Sequence, residues 1–277
     1  MASQLITPEL RNWIMEQAAA GAQPDAVLQA MKASGWQEEV ALKALQDVLL
    51  HEMAHNDEGT RRVPDVLSQG RCRVWAHDRE VTIQVEMQHP RVVVFQNLLS
   101  IEECEGLIAL SKPRLARSET VVNTTGASEV NAARTSQGMF FGRGENELCT
   151  RIEARIAALV SWPVERGEGL QILRYAPGAE YRPHYDYFDP AHGGTATILQ
   201  RGGQRVGTLV MYLNTPEKGG ATVFPDAGLT VHAVAGAAVF FSYAWPMPAT
   251  KTLHGGAVVE EGEKWVATKW MREGTFS

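Results

Sequence analysis

The chain of 277 residues carries a formal charge of -6 at pH 7, and 44% of its residues are hydrophobic and 21% charged. This composition is that of an ordinary globular protein with a buried core, and it excludes a disordered chain. The acidic charge and the lack of a dense lysine or arginine run exclude a general nucleic-acid binder. Because no run of about 18 apolar residues is present and charged residues interrupt the N-terminal segment, we expect a cytoplasmic protein without a membrane helix or a signal peptide.

The first 55 residues show the apolar spacing of helices. Apolar residues recur with helical period from residue 5 to about 52, and turn signals at 21–24 and 34–35 interrupt them. This pattern predicts three short helices, and we assign residues 1–55 to a small all-α bundle. With GWQEEVALKAL at the start of its last helix, the bundle resembles ubiquitin-associated-type domains, which implies a protein partner.

A polar segment follows the predicted bundle. The stretch NDEGTRRVPDVLSQG, residues 56–70, contains Gly and Pro and has no sustained period. We therefore interpret residues 56–88 as a linker and lead-in segment, and residues 89–277 as a second domain.

The second domain contains short apolar runs separated by Gly, Pro and Asp turns, which predict β-strands. The predicted strands lie at residues 92–95, 138–141, 170–175, 206–213, 231–234 and 237–243. Two predicted helices interrupt them: one starts at Ser100, with Glu103 completing a capping box, and the other runs from about residue 145 to 160. This order predicts a mainly β fold, a two-sheet jelly roll (double-stranded β-helix) with helices that support one face.

The cysteines do not form a recognisable framework. Cys72, Cys104 and Cys149 are odd in number and widely spaced, which fits neither a disulfide scaffold nor a zinc ribbon. We expect them to be reduced and structural.

The segment RYAPGAEYRPHYDYFD contains a pair of residues that can bind a metal. His184 and Asp186 are two positions apart, and in an extended strand such residues point to the same face. His254, in TLHGG, is the candidate third ligand. Two histidines and one carboxylate on one face of an octahedron leave three positions open, the arrangement of non-haem Fe(II) oxygenases. Alone, the H-x-D pair also fits a surface histidine beside a loop aspartate.

A lysine in an apolar setting follows the candidate ligands. Lys264 lies in EGEKWVATKW beside Trp265 and Val266, and burial of its ammonium group is costly without an anionic partner. The distal carboxylate of 2-oxoglutarate would be such a partner.

Four motifs in a fixed order make the chain similar to a known family. YAPGAEYRPHYDYF, GGATVFPDAG, LHGG and GEKWVATKWMRE together resemble the prolyl 4-hydroxylase family of Fe(II)- and 2-oxoglutarate-dependent dioxygenases, over residues 90 to 274. The resemblance implies that His184, Asp186 and His254 bind Fe(II).

The same resemblance implies roles for further residues. Lys264 corresponds to the lysine that pairs with the distal carboxylate of 2-oxoglutarate, and Thr222 and Tyr175 correspond to hydroxyl donors to this co-substrate. The catalytic positions near the substrate correspond to Tyr181, Arg205 and Trp270. The substrate-binding positions correspond to Arg134, Ser136 and Glu168. Arg272 stands where some relatives have histidine, which leaves the preferred peptide sequence open.

The resemblance also implies the reaction. Fe(II), 2-oxoglutarate and O2, with ascorbate as a candidate reductant, would hydroxylate a prolyl residue of a peptide or protein and release succinate and carbon dioxide. An arginine, a tyrosine and a tryptophan near the metal would form a pocket with an apolar wall and a polar rim, which suits a prolyl ring. The same chemistry on another side chain, a free amino acid or a small metabolite stays open.

Two long segments are predicted to act as lids. Residues 113–133 and 189–204 are polar and rich in Gly or Thr, as is typical of functional loops around a rigid barrel. We expect them to close over the substrate.

A second metal-binding motif gives an alternative function. His51-Glu52-Met53-Ala54-His55 is an H-E-x-x-H sequence, the zinc signature of metalloproteases, but it also fits a solvated helix end. It follows a bundle of only about fifty residues, which could hardly build a substrate cleft. In a further alternative the protein acts through the bundle as a binding module, and the catalytic half does not contribute to its role. The intact triad of candidate ligands together with Lys264 argues against this alternative.

Overall fold

The computed structural model describes residues 6–19, 22, 24–45, 48, 62–117, 120–121, 128–129, 135–189 and 194–277. The chain divides into two compact units, Met1–Arg62 and Val63–Ser277. No helix within the described ranges combines the length and the apolar character that a bilayer crossing requires.

The first unit contains three helical segments among its described residues. Helix α1 spans Pro8–Ala19, helix α2 spans Pro24–Ala33, and residues 38–45 are also helical. Buried apolar side chains of this unit form one cluster: Ile14, Val27, Met31, Ala41, Ala44, Leu45 and Val48. The H-E-x-x-H motif lies outside the described residues.

The second unit is rich in strands. In chain order its described strands are β1 (Arg73–Ala76), β2 (Arg79–Met87), β3 (Arg91–Gln96), β4 (Ala116–Arg117), β5 (Thr120–Val121), β6 (Ser128–Glu129), β7 (Gln137–Phe140), β8 (Gln171–Tyr175), β9 (Tyr181–His184), β10 (Arg205–Tyr212), β11 (Lys218–Gly219), β12 (Thr222–Phe224), β13 (Leu229–Val231), β14 (Ala238–Ser242), β15 (His254–Gly256), β16 (Val259–Glu261) and β17 (Lys264–Arg272). Its described α-helices are α3 (Ile101–Ser111), α4 (Glu147–Leu159) and α5 (Thr195–Leu199).

The described strands form two large sheets and two small two-stranded ones, β11-β16 and β5-β6. The major sheet has nine strands in the order β1-β2-β3-β14-β10-β17-β8-β7-β4, and the minor sheet has four in the order β13-β12-β15-β9. Side chains from both sheets share one buried cluster, which includes Tyr212 and Phe241 of the major sheet and Phe224 of the minor sheet. The prediction of a mainly β fold with supporting helices is confirmed.

Helices α3 and α4 cover the other face of the major sheet. Their side chains share a second cluster with Val93, Leu209 and Ala267 of that sheet. The predicted capping box is present at the start of α3, where Glu103 N–H donates to Ser100 Oγ and Ser100 N–H donates to the Glu103 carboxylate. Cys104 and Cys149 are free and buried in this layer, and burial raises the pKa of both thiols to about 11.

A buried arginine connects this helical layer to the sheet. The Arg155 guanidinium on α4 donates to both oxygens of Asp78, which lies between β1 and β2, and to both oxygens of Glu103 on α3. Burial alone would raise the pKa of Glu103, but the bonds from Arg155 lower it to about 2. The network is therefore charged at neutral pH and fixes both helices to the strands.

Strand β17 shows how the two layers position side chains. All nine of its residues are buried, as expected of a strand covered on both faces. Alternate residues pack in the helix-side cluster: Trp265, Ala267 and Met271. Because side chains alternate along a strand, the residues between these face the minor sheet: Lys264, Val266, Thr268 and Trp270.

Strands β1 and β2 correct the predicted domain boundary. Residues 56–88 were interpreted as a linker and lead-in segment, whereas Val63 begins the second unit and β1 and β2 extend its major sheet. The sequence concealed these strands because β1 is an edge strand and most residues of β2 are not buried. A half-exposed strand with polar residues on both faces lacks the apolar alternation by which strands are recognised.

Candidate metal centre

The three predicted ligands come together where two paired strands of the minor sheet, β9 and β15, end and begin. His184 ends β9, His254 begins β15, and the two residues are direct partners in the antiparallel ladder. Asp186 follows in the bend after β9, not on the strand as its spacing had suggested. One ligand atom from each residue lies within 4.8 Å of the others. The carboxylate lies between the rings, with Oδ1 3.5 Å from His184 Nε2 and Oδ2 3.5 Å from His254 Nε2.

Backbone carbonyls orient both histidines. The Nδ1 of His184 lies 2.9 Å from the carbonyl oxygen of Arg182, and the Nδ1 of His254 lies 3.0 Å from that of Thr252. An Nδ1–H that donates to a carbonyl fixes the tautomer with a lone pair on Nε2. Both Nε2 atoms are therefore available to a metal ion.

The protonation states also suit metal binding. Burial lowers the pKa of His254 to about 4, so its ring is neutral at pH 7. Burial alone would raise the pKa of Asp186, but the two neighbouring histidines hold it below its usual range. Thr208 Oγ1 also donates a 2.8 Å hydrogen bond to Asp186 Oδ2. A neutral imidazole and an ionised carboxylate are the forms that bind metals.

A cavity extends from these ligands between the two sheets. The residues that line it are Leu173, Tyr175, Tyr181, His184, Asp186, Val210, Thr222, His254, Gly255, Gly256, Lys264, Val266, Thr268 and Trp270. The walls are mainly apolar, and the metal-ligand candidates and a single lysine supply their charged groups. Such a cavity suits a small anionic ligand beside a metal.

Lys264 is the buried cation of this cavity. It is 4% exposed and lies opposite Tyr175 in the ladder of β17 and β8. Its Nζ is 5.6 Å from the ring centroid of Tyr175 and 5.7 Å from that of Tyr212. Within the described ranges no carboxylate forms an ion pair with Lys264, and burial lowers its pKa to about 8. A buried ammonium without a counter-charge indicates a site for an anion.

Hydroxyl groups and small residues surround this lysine. Thr222 on β12 accepts a 2.8 Å hydrogen bond from the Tyr212 hydroxyl through its Oγ1. A Cβ atom at Gly256 would be 3.8 Å from Lys264 Nζ, so this side of the ammonium lacks a side chain. The arrangement has room and donors for a carboxylate.

A buried charge cluster lies near the other end of β17. Arg205 Nε and Nη2 donate to the two oxygens of Glu168 at 2.7 and 3.0 Å, and Arg272 Nε donates to Glu168 Oε1 at 2.6 Å. The Arg205 guanidinium lies 3.9 Å from the centroid of the Trp270 ring. Glu168 therefore has both oxygens engaged by arginines, and it orients Arg205 against Trp270.

The other predicted substrate residues lie at different places. Tyr181 stacks on His184 with ring centroids 3.7 Å apart and lines the cavity. Ser136 is buried directly before β7 and does not line the cavity. Arg134 lies outside the described residues, as do parts of both predicted lids. The described part of the second lid contains α5.

Trp270 has an unusual environment. Its indole Nε1 is the only buried side-chain nitrogen or oxygen in the described part of the chain that has no hydrogen-bond partner. A buried donor without a partner costs free energy that a bound acceptor can recover.

Sequence reasoning missed three residues around the site: Thr208, Tyr212 and Tyr243. Thr208 and Tyr212 lie on β10, a strand that the sequence does predict, and alternate residues of one strand share a face. A polar residue within this apolar run was the available signal. Tyr243 follows β14 and carried no such signal, because only strand pairing brings it to Thr208.

Comparison with known proteins identifies relatives of this site. The model of the 2OG-Fe(II) oxygenase superfamily matches residues 170–272, which include the ligand candidates and Lys264. "Probable prolyl 4-hydroxylase 3" from Arabidopsis thaliana is 41% identical over 211 residues, covering 68% of this chain and 71% of that protein. "Prolyl 4-hydroxylase 1" from the same plant is 39% identical over 227 residues, covering 72% of this chain and 77% of that protein.

A solved structure also resembles this chain. The 2OG complex of a viral collagen prolyl hydroxylase from Paramecium Bursaria Chlorella virus-1 aligns with a TM-score of 0.50 and 28% sequence identity. The alignment covers 65% of this chain and 95% of the viral chain.

Proposed function

Because the chain belongs to the prolyl 4-hydroxylase family of Fe(II)- and 2-oxoglutarate-dependent oxygenases, we propose that it hydroxylates prolyl residues of a peptide or protein. The enzyme is a dioxygenase that uses Fe(II), 2-oxoglutarate and O2. One observation carries the assignment most strongly: the His184, Asp186 and His254 cluster and the uncompensated Lys264 share one cavity.

The donor set fits Fe(II). We assign His184 Nε2, His254 Nε2 and one oxygen of Asp186 as its ligands. Two imidazoles and one carboxylate on one side of the ion leave positions for a bidentate co-substrate and for O2. The carbonyl bonds to both Nδ1 atoms support this assignment, since outer hydrogen bonds of this kind orient metal-binding histidines.

The co-substrate fits the other end of the cavity. We assign Lys264 to the distal carboxylate of 2-oxoglutarate, with Thr222 and Tyr175 as neighbouring hydroxyl groups. The unpaired charge of Lys264 and the space beside Gly256 support this assignment. An ammonium-carboxylate pair in an apolar cavity is a strong, charge-assisted contact.

The substrate would enter beside Tyr181, Arg205 and Trp270. Trp270 and Tyr181 offer flat apolar surfaces to a pyrrolidine ring, and Arg205 can donate to a peptide carbonyl. Glu168, predicted as a substrate contact, is assigned instead to the orientation of Arg205, and Arg134 and Ser136 stay as further substrate contacts. The relatives named as prolyl hydroxylases support a prolyl target.

The bound iron and 2-oxoglutarate supply the oxidising chemistry, in which 2-oxoglutarate becomes succinate and carbon dioxide and the substrate gains one oxygen atom. The residues of this chain contribute binding, orientation and exclusion of water. Apolar residues between the two ends of the cavity, such as Val210 and Val266, keep the site dry. Lys264 fixes how far the co-substrate extends into the cavity, and Tyr181 holds the His184 ring in place by stacking on it.

Further parts of the assignment belong to the same proposal. The second unit would form the double-stranded β-helix of this family, which its two facing sheets support. The first unit would form a ubiquitin-associated-type bundle, which its shared apolar cluster supports, and this bundle would bind a protein partner. We retain a cytoplasmic location, ascorbate as reductant and lid roles for residues 113–133 and 189–204.

The test is an assay of the full chain with Fe(II), 2-oxoglutarate, ascorbate, air and a panel of proline-containing peptides. Mass spectrometry should find a peptide that gains one oxygen atom, together with one equivalent of succinate. Succinate release without oxidation of any prolyl peptide would remove the prolyl target, and the alternative substrates (another side chain, a free amino acid, a small metabolite) would then be tested. His51→Ala should hydroxylate at the wild-type rate, and a loss of activity in this variant would revive the zinc alternative.

The affinity for 2-oxoglutarate should depend on pH. Because burial lowers the pKa of Lys264 to about 8, the free enzyme loses its ammonium proton as pH rises through that value. We expect the Kd of 2-oxoglutarate to be flat at lower pH and to rise about tenfold per unit above about pH 8. Calorimetric titration of the Mn(II) form measures this. Lys264→Arg is the control, because its guanidinium does not titrate in this range and its profile should stay flat.

A further inference from the structure

A hydrogen-bonded chain of three buried side chains ends at the carboxylate of the metal centre. Tyr243 Oη lies 2.9 Å from Thr208 Oγ1, and Thr208 Oγ1 lies 2.8 Å from Asp186 Oδ2. Thr208 is 0% and Tyr243 2% exposed. Water therefore does not reach these hydroxyl groups, and their bonds are formed with one another.

The direction of each bond follows from the number of protons. An ionised carboxylate only accepts, so Thr208 gives its single proton to Asp186. Thr208 Oγ1 can then only accept from Tyr243, which must donate. Because the Tyr243 proton occupies the space between the two hydroxyl groups, the Thr208 proton cannot point towards Tyr243 and points towards Asp186.

The chain distinguishes the two oxygens of Asp186. Each oxygen lies 3.5 Å from one histidine Nε2, Oδ1 from that of His184 and Oδ2 from that of His254, but among the described side chains only Oδ2 also accepts a hydrogen bond from a hydroxyl group, that of Thr208. A hydrogen bond to one carboxylate oxygen favours binding of a metal by the other oxygen alone. Monodentate binding keeps one more position of the ion open than bidentate binding does.

The fold holds Tyr243 rigidly. Its N–H donates to the carbonyl oxygen of Val206 at the start of β10, so the residue extends the pairing of β14 with the strand that carries Thr208. Its ring packs against Tyr187 and Phe241, with centroids 6.1 and 6.2 Å away. A rigid donor at this distance can determine the rotamer of the Thr208 hydroxyl.

We propose that Tyr243 is a positioning residue for the metal centre. It holds the Thr208 hydroxyl in the orientation that donates to Asp186 Oδ2, so that Oδ1 is the oxygen that binds iron. This rests on the proposed role of Asp186 as a metal ligand. Among the described side chains Tyr243 forms its hydrogen bond with Thr208 and none with Asp186, so its effect on the metal centre should pass through Thr208.

Binding of Co(II) and of Fe(II) with 2-oxoglutarate, measured without O2 by calorimetry and visible absorption, tests the proposal. Thr208→Val and Tyr243→Phe should each weaken metal binding by about 10- to 100-fold, the usual effect of losing an outer hydrogen-bond partner. Their Co(II) spectra should differ from that of the wild type, since the carboxylate binding mode changes. Thr208→Ser keeps the hydroxyl and should bind like the wild type. Tyr187→Phe removes a hydroxyl from the same aromatic group and should also bind like the wild type.

The double variant separates positioning from general structure. If Tyr243 acts through Thr208, adding Tyr243→Phe to Thr208→Val should cause no further loss of metal affinity. Additive losses, or a wild-type affinity and spectrum for Tyr243→Phe, would overturn the proposal. If Tyr243→Phe does not fold, the Thr208 variants still test the proposal. Equal metal affinity of Thr208→Val and Thr208→Ser would overturn it. A wild type that binds no metal would instead contradict the proposed function.

Discussion

Asp186→Asn should abolish turnover and reduce Fe(II) affinity by more than the roughly 100-fold that follows loss of an outer partner. The amide has the shape of the carboxylate but no charge, and a neutral oxygen is a poor ligand for Fe(II). Thr208 Oγ1 can still donate to the amide oxygen, so the fold around the site should persist. Calorimetry of metal binding and succinate release measure the two losses separately.

The control for this variant is Asp226→Asn. Asp226 is exposed in the turn after β12, and its substitution removes the same charge from the surface. It should bind Fe(II) and turn over like the wild type. Retention of more than a tenth of the wild-type Fe(II) affinity in Asp186→Asn would show that this carboxylate is not a ligand.

Lys264→Met should raise the KM for 2-oxoglutarate by two to three orders of magnitude while metal binding stays intact. Removal of one partner from a buried charge pair costs about 2–5 kcal/mol, and each 1.4 kcal/mol is tenfold in affinity. The thermal stability of the free protein should not fall, because methionine replaces an ammonium that has no counter-charge among the described residues. Saturating 2-oxoglutarate should restore much of kcat, since the lysine contacts the co-substrate and not the reacting atoms.

Lys269→Met is the matched control on the same strand. Lys269 is also buried on β17, but it faces the helices and pairs with Glu153 of α4. Its loss leaves a buried carboxylate unpaired, so the melting temperature should fall. The KM for 2-oxoglutarate should not change. If both lysine variants raised this KM equally, the effect would reflect packing of β17 and not recognition of a carboxylate.

Where the signal was local, the sequence pointed to residues that the structure brings together. The spacing of His184 and Asp186 indicated a metal-binding pair, and the apolar neighbours of Lys264 indicated a buried cation. The capping box at Ser100 was predicted because it depends on residues three positions apart. In each case the residues that give the signal lie within one short segment of the chain.

Other features depend on residues that are distant along the chain. The pairing of β9 with β15 brings His254 to His184, and the bend after β9 turns Asp186 towards both rings. Two arginines meet on Glu168, which the resemblance had assigned to the substrate alone. Strand β2 was missed because its weak alternation is interpretable only after it pairs with β3.

The sequence by itself indicated which residues are candidate metal ligands, the apolar setting of Lys264 and the mainly β character of the second unit. Only the tertiary structure brings Thr208 to Asp186 Oδ2 and Tyr243 to Thr208, because Thr208 lies on β10 and Tyr243 follows β14, the adjacent strand of the other sheet. The physical reason is that ligand identity is a property of single residues, whereas orientation depends on strand register. Register is fixed by contacts across the whole sheet.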